Sequence, residues 1–186
     1  MKLGMRTPRR KHDSEGEPST IDVARAAAAE SFFVEPDHGD EPRRDEWVFL
    51  AQGTPEDWEK LVAYTEHMRF KNDETVIRAG ELDRALYFVT EGRLDIMMPQ
   101  PNGAERLVRT ISAPAVVGEM GFLENRQRSM TIKGMTDGEL LRLDFDAFER
   151  MAQAEPKIAQ NLSFELARVL SLRLRWATQA LACGWQ

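Results

Sequence analysis

The stretch 116-VVGEMGFLENRQRSMTI-132 interrupts an apolar strand with two glycines, one acid and one arginine. Gly118 and Glu119 follow the strand directly, and Gly121 comes two residues later. Arg128 lies nine residues beyond Glu119, where apolar and β-branched residues resume. This order predicts a strand end, then one short helical turn whose first backbone N–H groups are free to bind an anion.

The side chains of this stretch favour a phosphorylated sugar as ligand. The guanidinium of Arg128 matches two phosphate oxygens and keeps its charge. Glu119 only accepts hydrogen bonds and repels phosphate, so its partner on a ligand would be a sugar hydroxyl. The spacing alone fits equally an arginine–glutamate pair that only closes a surface loop.

Length, charge and cysteine content restrict the class of protein. The chain has 186 residues, is 42% hydrophobic and carries a formal net charge of −6, which argues against broad electrostatic binding to nucleic acid or an anionic membrane. No window reaches the roughly 18 apolar residues of a membrane-spanning helix, and the N-terminus lacks the apolar core of a signal peptide. Cys183 is the single cysteine, so no internal disulfide forms. We predict a cytoplasmic protein.

The chain divides into a polar tail and one domain. Residues 1–46 are polar and rich in charge, and we predict that they are disordered apart from a short helix at 20–33. That helix is either transient, packed on the domain, or a docking segment for a partner. The domain is predicted over 47–182.

The periodicity of the domain changes twice. The segment 54-TPEDWEKLVAYTEH-67 predicts an amphipathic helix capped by Thr54. Seven short β-rich segments, most of them separated by Gly, Asn, Asp or Pro, then indicate an antiparallel barrel or roll; they cover 75–79, 85–92, 93–99, 106–112, 115–119, 129–135 and 139–144. Two helices are predicted beyond them, at 144–156 and 156–182.

The last helix carries two apolar stripes. One, formed by Leu162, Leu166 and Val169, is suited to cover the barrel. The other repeats like a heptad and needs a second surface; its members are Ala167, Leu170, Leu174, Ala177 and Leu181. We therefore predict a homodimer through Leu170, Leu174 and Leu181.

The motif strand-Gly-Glu-Met-Gly-Phe-Leu-loop-Arg-Ser-x-Thr-Ile resembles the phosphate-binding cassette of the cyclic nucleotide-binding domain family. That family includes catabolite-activator-type regulators, cyclic-nucleotide-dependent kinases and gated channels. Upstream, 80-GELDRALYFVTEGRLDI-96 is similar to the family's glycine turn, strand and hairpin, and the resemblance extends over about residues 54–178. It implies a mainly β fold, a cyclic nucleotide-binding β-roll with an N-terminal helix and a long C-terminal helix.

The resemblance also implies a ligand, cAMP or cGMP, and roles for its contacts. Glu119 matches the acid that binds the ribose 2′-hydroxyl, and Arg128 matches the arginine that binds the cyclic phosphate. The backbone approaches the ligand at Gly118, Met120 and Gly121. Two further positions complete the cassette: Ser129, which would touch the phosphate or the base edge, and Thr131, which is either a contact or a core threonine.

The purine side departs from the family pattern. Where catabolite-activator-type regulators place two hydroxyl residues for adenine, this chain has Arg173 and Leu174, which leaves the choice between cAMP and cGMP open. Arg173 or Trp176 would cover the base by stacking, or both would pack on the barrel or a dimer partner.

Two function classes are disfavoured. Only 177-ATQALACGWQ-186 follows Trp176, which argues against a one-component DNA-binding regulator. The histidines (His12, His38 and His67) precede the predicted strands, so neither a barrel metal site nor an enzyme is expected. Two hypotheses stay open: a sensor that moves its C-terminal helix to signal to an unidentified effector protein, or a degenerate scaffold that binds a protein and no nucleotide.

Overall fold

The computed structural model describes residues 54–183, without the side chains of residues 176 and 180–183. The predicted tail over 1–46, its helix at 20–33 and the predicted domain start at Trp47 lie outside the described residues. Within them the chain forms, in order, α1 (Pro55–Val62), β1 (Glu66–Phe70), β2 (Thr75–Ile77), β3 (Ala85–Glu91), β4 (Arg93–Pro99), β5 (Glu105–Ser112), β6 (Ala115–Val117), α2 (Glu119–Glu124), β7 (Thr131–Gly134), β8 (Gly138–Asp144), α3 (Phe145–Ala154) and α4 (Pro156–Cys183).

The eight strands form two antiparallel four-stranded sheets. Sheet A has the order β1-β8-β3-β6, and sheet B has the order β2-β7-β4-β5. Helix α1 precedes the strands, and α3 and α4 follow them. The predicted fold class, a mainly β roll with an N-terminal helix and a long C-terminal helix, is therefore confirmed.

The predicted first helix was too long, because a strand follows it. Helix α1 begins at the predicted cap, where Thr54 Oγ1 accepts the Asp57 N–H at 3.2 Å and the Asp57 carboxylate accepts the Thr54 N–H at 2.9 Å. It ends at Val62, whose carbonyl accepts the Thr65 hydroxyl at 2.8 Å. Residues 66–70 pair with β8 as β1, so His67 lies within a strand rather than before the first one.

Two apolar cores lie on the two faces of sheet A. The sequence of β3 is almost wholly apolar because both of its faces are buried. Leu86 and Phe88 point toward the helices and pack in the cluster that holds Trp58 of α1. Tyr87 and Val89 point into the roll, in the cluster that includes residues of sheet B. The site described below lies where the strands of sheet A meet α2.

Strand β5 is one of the two outer strands of sheet B, and its pairing with β4 is irregular. Ile96 pairs with Arg109 and Met97 pairs with Leu107, so Val108 has no partner on β4. Leu107 is 51% exposed and Val108 is 39% exposed. This edge therefore presents two apolar side chains to solvent.

The long helix α4 buries one stripe and exposes another. The predicted inner stripe is confirmed: Leu162, Leu166 and Val169 are each at most 1% exposed. On the outer side Leu174 is 69% exposed, and so is Phe164 at 62%, which the sequence analysis did not include. Of the predicted dimer contacts, Leu170 is half-buried and the side chain of Leu181 lies outside the described residues.

Nowhere in 54–183 is a helix long and apolar enough to cross a membrane.

Candidate functional site

The interrupted strand forms a sharp turn into a six-residue helix. Strand β6 ends at Val117, Gly118 takes a left-handed conformation with φ of 84°, and α2 then runs to Glu124. One side chain anchors this helix to the core: Phe122 is 1% exposed, and its ring centroid lies 5.4 Å from those of both Phe145 and Phe148 on α3. The predicted strand end and short helical turn are confirmed.

The guanidinium of Arg128 is folded into the protein, where its side chain is only 3% exposed. Its Nη2 donates to Asp83 Oδ2 and to the Ala85 carbonyl, each at 2.7 Å. Its Nη1 donates to the Gly118 carbonyl at 2.8 Å. Its Nε is buried and has no hydrogen-bond partner among the described residues. Arg128 therefore ties β3 to the turn before α2 and keeps one buried donor unused.

The two glycines make room for this guanidinium. A Cβ at Gly118 would lie 2.8 Å from Arg128 Nη1 and 2.9 Å from the Ala85 carbonyl oxygen. A Cβ at Gly121 would lie 3.0 Å from the same Nη1 and 3.2 Å from Arg128 Cδ. A side chain at either position would push the arginine outward. The predicted glycines and Arg128 thus form one packed unit.

Asp83 is a residue of this site that the sequence analysis missed. Besides Arg128, it accepts the Tyr87 hydroxyl at 2.7 Å on Oδ2 and Arg142 Nη2 at 3.1 Å on Oδ1. Burial acts to raise the pKa of Asp83, but the hydrogen bonds from Tyr87 and Arg128 outweigh it, so the net shift is downward. Burial and the neighbouring carboxylate raise the pKa of Tyr87. Asp83 is therefore a charged carboxylate shared by two arginines.

The loop before β3 is held against the cassette at several points. The Arg128 N–H donates to the Glu81 carbonyl at 2.9 Å, and the Gly80 N–H donates to the Arg128 carbonyl at 2.8 Å. Next to Asp83, Arg84 donates from Nε to the Phe122 carbonyl at 3.0 Å. The Arg84 guanidinium also lies 3.1 Å from the centroid of the Phe145 ring. No side-chain pattern in the sequence marked these contacts, because the loop and the cassette meet only in the folded chain.

The second predicted ligand residue, Glu119, also has an internal partner. It is 7% exposed, and its Oε1 lies 2.6 Å from Arg173 Nη1. Arg173 Nη2 donates to the Val116 carbonyl at 2.8 Å. Arg173 therefore links α4 to the cassette instead of lying free to stack on a base, as the sequence analysis had allowed. The side chain of Trp176 lies outside the described residues.

The remaining predicted residues differ in exposure. Met120 is 43% exposed on the outer side of α2, and the exposed Ser129 hydroxyl lies 3.7 Å from its sulfur. Thr131 is 2% exposed, and its hydroxyl accepts the Ala79 N–H at 3.2 Å. The structure thus places Thr131 in the framework of the preceding loop, and Met120 and Ser129 at the surface of the cassette.

Comparison with known proteins gives transcriptional regulators among the relatives. The chain is 25% identical over 127 residues to the cAMP-activated global transcriptional regulator CRP of Salmonella typhimurium, a match that covers 66% of this chain and 60% of the relative. The chain thus spans less than two thirds of that relative's length.

Solved structures share the fold. The catabolite activator protein of Thermus thermophilus aligns with a TM-score of 0.64 and 26% identity, over 73% of this chain and 62% of that one. A cyclic nucleotide-binding domain from Methylobacillus flagellatus aligns with a TM-score of 0.71 and 18% identity, over 88% and 85% of the two chains. The second likeness bears on the fold alone.

The family model of the cyclic nucleotide-binding domain matches residues 67–155. This range begins in β1, includes every later strand and the whole cassette, and ends between α3 and α4. The motif, the two-sheet roll and the relatives agree, and so residues 67–155 form a cyclic nucleotide-binding domain.

Proposed function

We propose that this protein is a sensor that binds cAMP or cGMP, with Arg128 on the cyclic phosphate and Glu119 on the ribose 2′-hydroxyl. The observation that carries this proposal is the pair of buried, opposite charges next to Gly118, one of which retains an unused donor, Arg128 Nε. A buried donor without an acceptor costs about 1–3 kcal/mol, and a phosphate oxygen would satisfy it. The cAMP-activated function named for the Salmonella relative supports the same ligand class.

The backbone and side chains around this pair would complete the site. Gly118 and Gly121 leave the cassette backbone open to close approach, and the exposed Met120 and Ser129 would border the ligand. We assign Thr131 to the framework. The base would be covered by Trp176, while Arg173 serves the helix rather than the base.

Signalling would run through α4, because Arg173 of that helix holds the carboxylate that the ribose needs. A ribose hydroxyl on Glu119 would compete with the pair between Glu119 and Arg173, measured at 2.6 Å. Loss of that pair would weaken the hold of the cassette on α4. Shifting a two-state helix from 1:99 to 99:1 takes about 5.5 kcal/mol, and charge-assisted hydrogen bonds contribute about 1.5–3 kcal/mol each. Two or three such bonds to the ligand would supply this difference.

Titration calorimetry with cAMP and with cGMP tests the proposal. Arg128→Lys retains the positive charge without the planar guanidinium, and Glu119→Gln retains the shape without the charge; each should weaken binding at least tenfold. The matched controls Arg126→Lys and Glu124→Gln change exposed side chains of the same segment and should bind like the parent protein. Equal weakening by the controls would contradict the assignment of the two ligand contacts.

A second candidate function is a scaffold that binds a protein and no nucleotide. The observation in its favour is that both candidate ligand residues already have internal ion partners, Asp83 and Arg173. Absence of heat with both nucleotides at millimolar concentration would select the scaffold. In either case we propose a binding protein of the cytoplasm that acts on an effector protein and catalyses no reaction.

The exposed side of α4 is suited to a second copy of the chain. Phe164, Ala167 and Leu174 are exposed at heptad-compatible spacing, and coiled-coil pairs bury such residues. This set replaces part of the predicted one, since Leu170 is half-buried. Light scattering should give a dimer that Leu174→Glu converts to a monomer. A parent protein that stays monomeric at high concentration would refute the dimer.

A further inference from the structure

Asp83 pairs with Arg128, the candidate phosphate-binding residue, and it also pairs with a second arginine, Arg142. We propose that Asp83 is a built-in competitor for the anion-binding position of Arg128, and that Arg142 retains its carboxylate when a cyclic phosphate binds. This inference rests on the proposed function, and it adds a residue that sets the affinity of the site.

The contact between Asp83 and Arg128 is the one that a ligand can replace without unfolding the cassette. The other two hydrogen bonds of the Arg128 guanidinium, to the carbonyls of Ala85 and Gly118, hold the backbone and involve neutral acceptors. Asp83 contributes a singly charged carboxylate, and a cyclic phosphodiester also carries a single negative charge. The guanidinium would thus exchange one monoanion for another.

The geometry indicates which of the two side chains moves. The Arg128 side chain is 3% exposed and the Asp83 side chain is 29% exposed. Asp83 also belongs to the segment between β2 and β3, which forms neither helix nor strand. Arg128 is fixed by the two backbone carbonyls, whereas the carboxylate lies on a loop next to solvent. Displacement of Asp83 is therefore the less disruptive of the two movements.

Arg142 lowers the free energy needed to displace Asp83 from Arg128. A partly buried carboxylate that loses its only cation is destabilised, but Asp83 also has Arg142 at 3.1 Å and the Tyr87 hydroxyl at 2.7 Å. The other acids near Arg142, Glu66 and Asp144, lie farther from it, at 3.9 and 3.7 Å. Asp83 is thus the acid closest to Arg142 and would stay paired after leaving Arg128.

Competition of this kind multiplies the apparent affinity by the fraction of molecules in which Arg128 is available, and so lowers it. Replacing Asp83 by the neutral isostere, Asp83→Asn, keeps the shape and removes the competing charge. We expect the variant to bind cAMP or cGMP about tenfold more tightly in calorimetry, equal to about 1.4 kcal/mol. The same variant should lower the thermal midpoint of the unliganded protein, because it loses charge on two arginine contacts.

Arg142→Gln should act in the opposite direction. It leaves Asp83 more dependent on Arg128, so the nucleotide should bind several-fold more weakly. In the Asp83→Asn background the change at Arg142 should have no effect on affinity, since the carboxylate that it holds is gone. The matched control is Asp137→Asn, which removes the same charge just before the other end of β8. Asp137 lies about 16 Å along the strand from Arg142, and it accepts the Asn72 N–H.

The outcomes separate this inference from the proposed function. Tighter binding by Asp83→Asn, with lower stability and an unchanged Asp137→Asn control, supports the competitor, as does nucleotide binding that only Asp83→Asn shows. Binding by the parent protein that Asp83→Asn leaves unchanged or weakens overturns the competitor and leaves the proposed function intact. No binding by either protein overturns both. Should Asp83→Asn fail to fold, an Arg142→Gln variant that binds as tightly as the parent refutes the competitor.

Discussion

Replacement of Arg128 by alanine should destabilise the protein in the absence of any nucleotide. The change removes a buried guanidinium that donates to one carboxylate and two backbone carbonyls at 2.7–2.8 Å. Breaking a buried ion pair costs about 3–5 kcal/mol. Asp83 keeps Arg142 and Tyr87 as donors, which favours the lower end of this range. The carbonyls of Ala85 and Gly118 nevertheless lose their donor.

We therefore expect the free energy of unfolding to fall by about 3 kcal/mol and the thermal midpoint by roughly 10 °C. Urea titration followed by tryptophan fluorescence measures the change, with the fully buried Trp58 as a reporter of the core. The matched control is Arg126→Ala, an exposed arginine two residues earlier, which should change stability by less than about 0.5 kcal/mol.

A loss below about 1 kcal/mol for Arg128→Ala, or an equal loss for both variants, would refute the internal position of this guanidinium. The expected result also affects how binding data are interpreted. Arg128→Ala removes contacts that hold the cassette as well as the candidate ligand contact, so loss of nucleotide binding by this variant would not by itself identify Arg128 as a ligand contact. Arg128→Lys, which retains the positive charge, is the more informative variant for the binding experiment.

Three further outcomes are expected. Gly118→Ala should lower the free energy of unfolding more than Gly103→Ala does. Both glycines have φ above 80°, which alone costs about 1–2 kcal/mol for alanine, but of the two only Gly118 has atoms within 3 Å of an added Cβ. Equal losses of stability in urea titration would contradict the close packing at Gly118. Arg173→Gln should lower stability by about 2 kcal/mol and speed amide exchange in the last turns of α4, whereas the exposed Arg175→Gln should do neither. Because the pKa of Asp83 is lowered on folding, the stabilisation that its carboxylate contributes is complete above about pH 4 and is lost as the pH falls through the lower folded pKa. Asp83→Asn should therefore reduce the loss of stability at acid pH. Identical curves of stability against pH for the variant and the parent would be inconsistent with the lowered pKa.

The roll and its cassette could be predicted because their signals are local. Turn residues separate the strands, and the glycine–glutamate–arginine pattern lies within one short segment. The buried stripe of α4 follows from the helical period. Strand β1 was missed because its sequence, EHMRF, has one buried residue, Phe70, and lies at a sheet edge. A polar edge strand carries no alternation that distinguishes it from the end of a helix.

The partners of the site residues could not be predicted. Asp83 and Arg128 are 45 residues apart in the chain, and Glu119 meets Arg173 from the last helix. Nothing in the local sequence of Asp83 sets it apart from other loop acids. Its significance comes from two backbone hydrogen bonds that lay the loop before β3 along Arg128. A sequence motif thus identifies the groups suited to a ligand, but it does not show which internal groups already satisfy them.

The outer strand β5 of sheet B affects how the protein behaves in solution. A free sheet edge offers unpaired N–H and C=O groups to any other strand, and exposed apolar side chains make such contact more favourable. The unpaired Val108 breaks the regular ladder, and the charges of Glu105, Arg106 and Arg109 flank the apolar pair. These features limit edge-to-edge association between molecules. Neutral substitutions at Arg106 and Arg109 should therefore increase aggregation of a concentrated sample without altering the fold.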